Sequence, residues 1–259
     1  MMSSEDSAPE RVSVSVDMWR GPCLGCGEET ELFAGKRYCD ACLHRLDQEA
    51  RAQEQASWKR DMLAKAATMG LIAPATATTR FDGSLDPPQH NRAAWEQALN
   101  WRRDVNVYIH GPCGVGKSHL ARCMLYEAMG DRLRIGEVSG HTVASSYQPE
   151  KVDALAWPDV LLVDDVDKGV WGPQGIVILR EALDRREQAR KRTILTANAD
   201  KRELMAYLAR RVGENQSLVF AVLDRLNTPA GRPLTLHLTG RSLRGTFGDD
   251  NEGDREEAE

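Results

Sequence analysis

The spacing of apolar positions changes character near residue 105. Beyond it, short apolar runs alternate with longer amphipathic ones. VNVYIH (105–110), LRIGEVS (133–139) and TILTAN (193–198) read as strands. DVLLVDD (159–165) is a continuous apolar run closed by two acids, the pattern of a strand buried on both faces. Between them, residues 116–129 place Leu120, Met124, Leu125, Ala128 and Met129 on one helical face. Residues 90–101, 174–190 and 200–227 also read as helical. LTLHLT (234–239) alternates with period two after Pro233, which predicts an edge strand. Strand–helix alternation of this kind predicts an α/β fold with a parallel sheet and ligands at the carboxyl ends of its strands. No internal repeat is visible.

The first hundred residues follow other rules. Residues 1–20 are polar and read as a flexible N-terminus. Residues 43–69 are rich in Ala, Gln, Glu, Lys and Arg without Gly or Pro, a helix-forming composition. Apolar positions there are sparse (Leu43, Leu46, Ala50, Trp58, Met62, Leu63, Ala66), so the helix either connects two domains or offers a narrow face to a partner. APATATT (73–79) reads as a linker and DPPQHN (86–91) as a turn.

The chain has 259 residues, 41% of them hydrophobic and 28% charged, ordinary values for a globular protein. The net charge of −5 is unevenly placed: residues 248–259 carry seven acids and one arginine, leaving the rest near +1. Any nucleic-acid contact must therefore come from a local patch. RREQARKR (185–192) is the basic candidate, as a phosphate contact or as a solvated helix end. No apolar run approaches a membrane span, and the N-terminus lacks the form of a signal peptide. Six cysteines without a secretory signal point to a reducing, cytoplasmic setting.

Directly after the strand at 105–110 comes Gly111-Pro112-Cys113-Gly114-Val115-Gly116-Lys117-Ser118-His119, followed by a helix. This is the phosphate-binding loop pattern G-x-x-x-x-G-K-[ST] in its required context. Backbone N–H groups of such a loop wrap phosphates, and the helix N-terminus adds favourable potential. Lys117 would reach the β- and γ-phosphates of ATP, and the Ser118 hydroxyl would ligate Mg²⁺. Asp164 ends the apolar strand where a carboxylate supports Mg²⁺; Asp165 is the candidate general base.

The ordered set YIHGPCGVGKSHLA, VLLVDDVDKG, TILTAN, VLDRL and LTLHLTGRSLR resembles AAA+ ATPases of the DnaC/DnaI helicase-loader group, with IstB-like transposition ATPases related. The resemblance covers residues 76–247. It implies an AAA+ parallel sheet flanked by helices without a helical lid domain. It further implies Asn198 as first sensor, Arg225 as an arginine finger reaching a neighbouring subunit's ATP, and Arg244 as second sensor, with Arg241 as the alternative. Arg210 and Arg211 compete with Arg225. Many AAA+ ATPases carry Asp-Glu where this chain has Asp164-Asp165, and the shorter side chain points to slow turnover.

Cys23-x2-Cys26 and Cys39-x2-Cys42 form two C-x-x-C knuckles spaced for one tetrahedral Zn²⁺, a structural site because four ligands leave no open position; redox disulfides or free thiols are the alternative. His44 is not counted as a ligand, and Cys113 and Cys123 read as packing. The expected organisation is a zinc ribbon at 21–44, a linker helix at 45–75, the ATPase domain at 76–247 and an acidic tail at 248–259. The expected function is an ATP-dependent loader that grasps a replicative DNA helicase through its N-terminal region, engages single-stranded DNA, and forms a homo-oligomer when ATP-bound. The alternatives are an IstB-like transposition helper and a zinc-ribbon adaptor that holds ATP as a static switch.

Overall fold

The computed structural model describes residues 18–33, 36–71, 89–145, 148–213 and 216–243. Most of the expected N-terminal segment, the linker at 73–79, the tail and Arg244 lie outside the described residues. The chain forms two compact units, residues 1–58 and 59–259.

In the first unit, β1 (Met18–Pro22) and β2 (Glu29–Phe33) pair antiparallel, with Pro22 opposite Glu29. The turn between them carries Cys23 and Cys26. The helix α1 (Asp40–Thr68) follows, and Cys42 sits in its first turn. It starts three residues before the position read from composition, because acidic Asp40 opens the first turn, where negative charge suits the helix dipole. The last turns of α1 belong to the second unit, where Met62 and Ala66 are buried. Its C-terminus is a Schellman cap: Leu71 N donates to Ala66 O, Gly70 N donates to Ala67 O, and Gly70 takes the left-handed φ of 69°.

The second unit is built on a five-stranded parallel sheet in the order β4-β5-β6-β3-β7. Its strands are β3 (Val107–His110), β4 (Ile135–Ser139), β5 (Val160–Asp164), β6 (Arg192–Ala197) and β7 (Leu234–His237). The central strands are mostly apolar because both faces are covered, with Thr193 and Thr196 buried within β6. β7 lies at an edge, as Pro233 and the alternation predict, with Leu236 buried and His237 exposed.

Helix α3 (Lys117–Gly130) packs on β3 to β6, and α2 (Arg92–Leu99) packs beside it. The main core joins Leu161, Val163, Leu195 and Ala197 to Leu71 and to helices α4 (Gly140–Ala144), α5 (Pro149–Ala156), α6 (Pro173–Gln188), α7 (Lys201–Val212) and α8 (Gln216–Asp224). Period-two alternation therefore turns Asp164 and Thr196 away from that core, toward α3. The helical segments read at 200–227 are two helices. The first has an Asp200/Glu203 capping box and ends at Gly213, whose φ is 60°.

The basic run at 185–192 is mostly engaged within the protein. Arg186 is 1% exposed. Its guanidinium donates to Thr193 Oγ1 at 2.9 Å, Leu155 O at 3.0 Å, Pro158 O at 2.7 Å and Asp159 O at 3.3 Å, and also to Arg192 O. Lys191 bonds the Ala156 and Trp157 carbonyls, Arg192 bonds Arg103 O, and Arg185 pairs with Asp153. Arg186, Lys191 and Arg192 are neither a phosphate contact nor a solvated helix end: they lock α6 to the strand ends beneath it, while Arg185 and Arg190 are exposed. Because Arg186→Met strands several buried acceptors, it is expected to lower unfolding free energy by about 4 kcal/mol, read from urea denaturation of the full chain.

Candidate functional site

β3 feeds the loop 111–116, and α3 opens at Lys117, so the loop and the helix N-terminus lie together at the carboxyl end of the sheet. Two of its glycines are required by contact. A Cβ at Gly111 would lie 1.9 Å from Leu238 O, and one at Gly114 would lie 2.0 Å from Ser242 Oγ. The segment after β7 thus packs on the loop. Leu238 N donates to His110 O at 2.8 Å and Leu243 N to Gly114 O at 2.9 Å. Thr239 O accepts from Asn91 Nδ2 at 3.0 Å, which anchors the same segment at its other side.

Lys117 is 5% exposed. Its ammonium has three hydrogens and three acceptors: Gly111 O at 2.9 Å, Pro112 O at 2.6 Å and Asn198 Oδ1 at 2.9 Å. Burial pulls its pKa down, and the nearby Asp165 carboxylate opposes that shift. Ser118 Oγ donates to Asp164 Oδ1 at 2.8 Å. The same oxygen accepts from Thr196 Oγ1 at 2.5 Å, and Arg122 Nη2 stands 3.5 Å from Asp164 Oδ2. Arg122 is itself held by Glu137 Oε1 through Nε at 2.9 Å and Nη2 at 2.7 Å. Paired hard oxygens on Ser118 and Asp164, beside a phosphate-type loop, suit Mg²⁺.

Asp165 occupies the left-handed region at φ 52°, ψ 51°. Asp165 N donates to Thr196 Oγ1 at 2.8 Å, and its carboxylate pairs with Lys168 Nζ at 2.7 Å. That contact raises the Lys168 pKa. A non-glycine residue held here carries backbone strain of the kind that collects at functional sites.

The structure thus brings together Lys117, Ser118, Asp164, Asp165 and Asn198. Arg225 stands apart. Asn106, immediately before β3, donates to Arg225 O at 3.3 Å, so Arg225 lies at the end of the sheet opposite its own loop. Its guanidinium pairs with Asp184 and, at 3.4 Å, with Glu187, which raises its pKa. Arg210 donates to Ala206 O and Arg211 lies over the Tyr207 ring. Arg241 is exposed, and Arg244 lies outside the described residues. Cys123 is buried, as packing requires, whereas Cys113 is exposed on the loop, which corrects the packing assignment.

Sequence reading missed Thr196, Arg122, Glu137, Asp167 and Lys168. Asp167 and Lys168 lie inside the quoted VLLVDDVDKG, and Thr196 is one strand period before Asn198. No spacing signal joins Arg122 to Glu137.

In the first unit, the four cysteine sulfurs lie within 4.8 Å of one another. Cys26 and Cys39 sulfurs are 4.0 Å apart. Four thiolates about 2.3 Å from one Zn²⁺ stand about 3.8 Å apart in a tetrahedron, so the set fits with slight contraction. Amides support it: Gly25 N and Cys39 N donate to Cys23 Sγ at 3.3 and 3.2 Å. The Cys39 amide leads in pulling the Cys23 thiol down to about 6, while the crowded Cys39 thiol leads in pushing Cys42 up to about 12. None of the six cysteines forms a disulfide, and His44 is not part of the cluster.

The second unit is an α/β unit that carries a phosphate-loop motif with the Ser118–Asp164 oxygen pair beside it. No protein-family model matches the chain, and no curated protein matches it. Solved structures do. A protein described as a primosome component from Streptococcus pyogenes serotype M3 is similar at 19% identity and a TM-score of 0.52, covering 67% of this chain and 92% of that one. DnaI is similar at 18% identity and a TM-score of 0.52, covering 67% of this chain and 94% of that one. The chain shares its fold with these two structures. Among the described residues no helix is long and apolar enough to cross a membrane.

Proposed function

We propose that the chain is an ATP-dependent loader of a replicative DNA helicase. The observation that carries this is the convergence of Lys117, Ser118, Asp164 and Asn198 at one loop mouth, in a fold shared with DnaI and a primosome component. Gly111 to His119 cradle the triphosphate of ATP. Lys117 exchanges its carbonyl acceptors for phosphate oxygens, and Ser118 and Asp164 hold Mg²⁺, which neutralises phosphate charge when bound. Asp165, released from Lys168, orients the attacking water as general base. Arg225 of a neighbouring copy completes the pocket in trans, since it lies remote from its own loop. Arg244 or Arg241 acts as second sensor.

The first unit holds Zn²⁺ through Cys23, Cys26, Cys39 and Cys42 and grasps the helicase. The second unit engages single-stranded DNA. The chain assembles into a homo-oligomer when ATP-bound and works in the cytoplasm. A purified hexameric replicative helicase mixed with the full chain and Mg²⁺-ATP is expected to elute with it in size-exclusion chromatography with light scattering. No complex, with or without nucleotide, would refute the loader reading.

Asp164→Asn keeps the shape of the carboxylate but removes its charge. Hydrolysis is expected to fall about 100-fold, with ATP affinity lowered less than about threefold. Steady-state turnover and calorimetric titration check the two arms.

A further inference from the structure

Asp167 lies in the short 3-10 turn after β5, two residues beyond the proposed base. Its Oδ2 accepts two hydrogen bonds from one residue: Asn198 N at 2.9 Å and Asn198 Nδ2 at 3.0 Å. Its Oδ1 is buried with no hydrogen-bond partner. On the far side of the same amide, Asn198 Oδ1 accepts from Lys117 Nζ at 2.9 Å. A carboxylate, an amide and an ammonium therefore stand in line.

That line fixes which way the amide points. Turning it by half a revolution would set Nδ2 against the Lys117 ammonium and Oδ1 against the Asp167 carboxylate, two repulsive contacts in place of two charge-assisted bonds. Once Lys117 moves to a phosphate, its hold on Oδ1 is gone, and Asp167 is the remaining side-chain anchor. An amide nitrogen carries two hydrogens. Asp167 takes one, and the other stays available for an oxygen of the terminal phosphate. Without Asp167 the amide is free to turn its oxygen toward that anion.

We propose that Asp167 is a positioning residue that makes Asn198 a reader of the terminal phosphate, giving the site its preference for nucleoside triphosphate over diphosphate. This rests on the ATP-binding reading above. The test is calorimetric titration of the full chain with Mg²⁺ and either AMPPCP or ADP. Asp167→Ala is expected to weaken AMPPCP about tenfold and ADP less than about twofold, a difference of about 1.4 kcal/mol. Asp167→Asn, whose carbonyl oxygen still accepts both bonds, is expected to restore most of the preference. In an Asn198→Ala background Asp167→Ala is expected to add nothing.

Equal weakening of both nucleotides, or a loss that persists without Asn198, would overturn the proposal by reducing Asp167 to a loop support. Should Asp167→Ala fail to fold, Asp167→Ser must show the same pattern. Wild-type chain that prefers AMPPCP while Asp167→Ala keeps that preference sinks this inference alone. Wild-type chain that binds neither nucleotide sinks the ATP-binding reading with it.

Discussion

Lys117→Ala is expected to weaken ATP binding by two to three orders of magnitude, about 3–4 kcal/mol. The ammonium sits between the loop carbonyls and Asn198, with all three hydrogens in use. Its acceptors are neutral in the nucleotide-free form, and the exchange to anionic phosphate oxygens is what drives binding, since charge-assisted bonds are roughly twice as strong. Alanine removes that gain. It also leaves the Gly111 and Pro112 carbonyls without a donor, which the bound phosphates would repel. Lys117→Arg is expected to bind poorly too, because a planar fork cannot place three hydrogens around the same point. Fluorescent-ATP titration checks both variants, with thermal unfolding run alongside to show that the fold persists.

Removing the metal from the cysteine cluster is expected to unfold the first unit while leaving the second intact. Among the described residues the first unit offers a two-stranded hairpin and the start of a helix. A lone hairpin is marginal in water, and a small domain of this size needs a staple. Structural zinc contributes about 10–16 kcal/mol in such settings. One zinc per chain is expected by metal analysis. Chelation of the full chain should open residues 18–33 to proteolysis, and the thermal transition of the second unit should stay within about 2 °C, given its own large core. Cys39→Ser should behave like chelation, because it removes one ligand and disturbs the turn whose amide supports Cys23.

What the sequence made legible was whatever its chemistry keeps local. Gly111 to Ser118 are contiguous, and the loop geometry follows from three glycines and a following helix. Asp164 was visible because the apolar strand and the phosphate-loop pattern occur together in one sequence. The rest depended on contacts between distant segments. Asp164 and Thr196 face α3 because both fall on the same parity of adjacent strands, which no single motif displays. Arg122 meets Glu137 across fifteen residues of chain. Gly111 and Gly114 owe part of their identity to Leu238 and Ser242, more than a hundred residues away.

The basic run 185–192 shows the opposite failure. Charge density alone left a phosphate contact and a solvated helix end both open, whereas Arg186 is buried against carbonyls at the foot of the sheet. A guanidinium with five donors is as well suited to tying strand ends together as to phosphate. Only burial separates the two uses.

The central claim is that the loop mouth holds Mg²⁺-ATP between Lys117 and the Ser118–Asp164 pair. A crystal structure of the full chain with Mg²⁺ and AMPPCP tests it most directly. The expected result is Lys117 Nζ shifted from the Gly111 and Pro112 carbonyls onto phosphate oxygens, with the metal beside Ser118 Oγ and Asp164. Nucleotide bound elsewhere, with Lys117 still on those carbonyls, would contradict it.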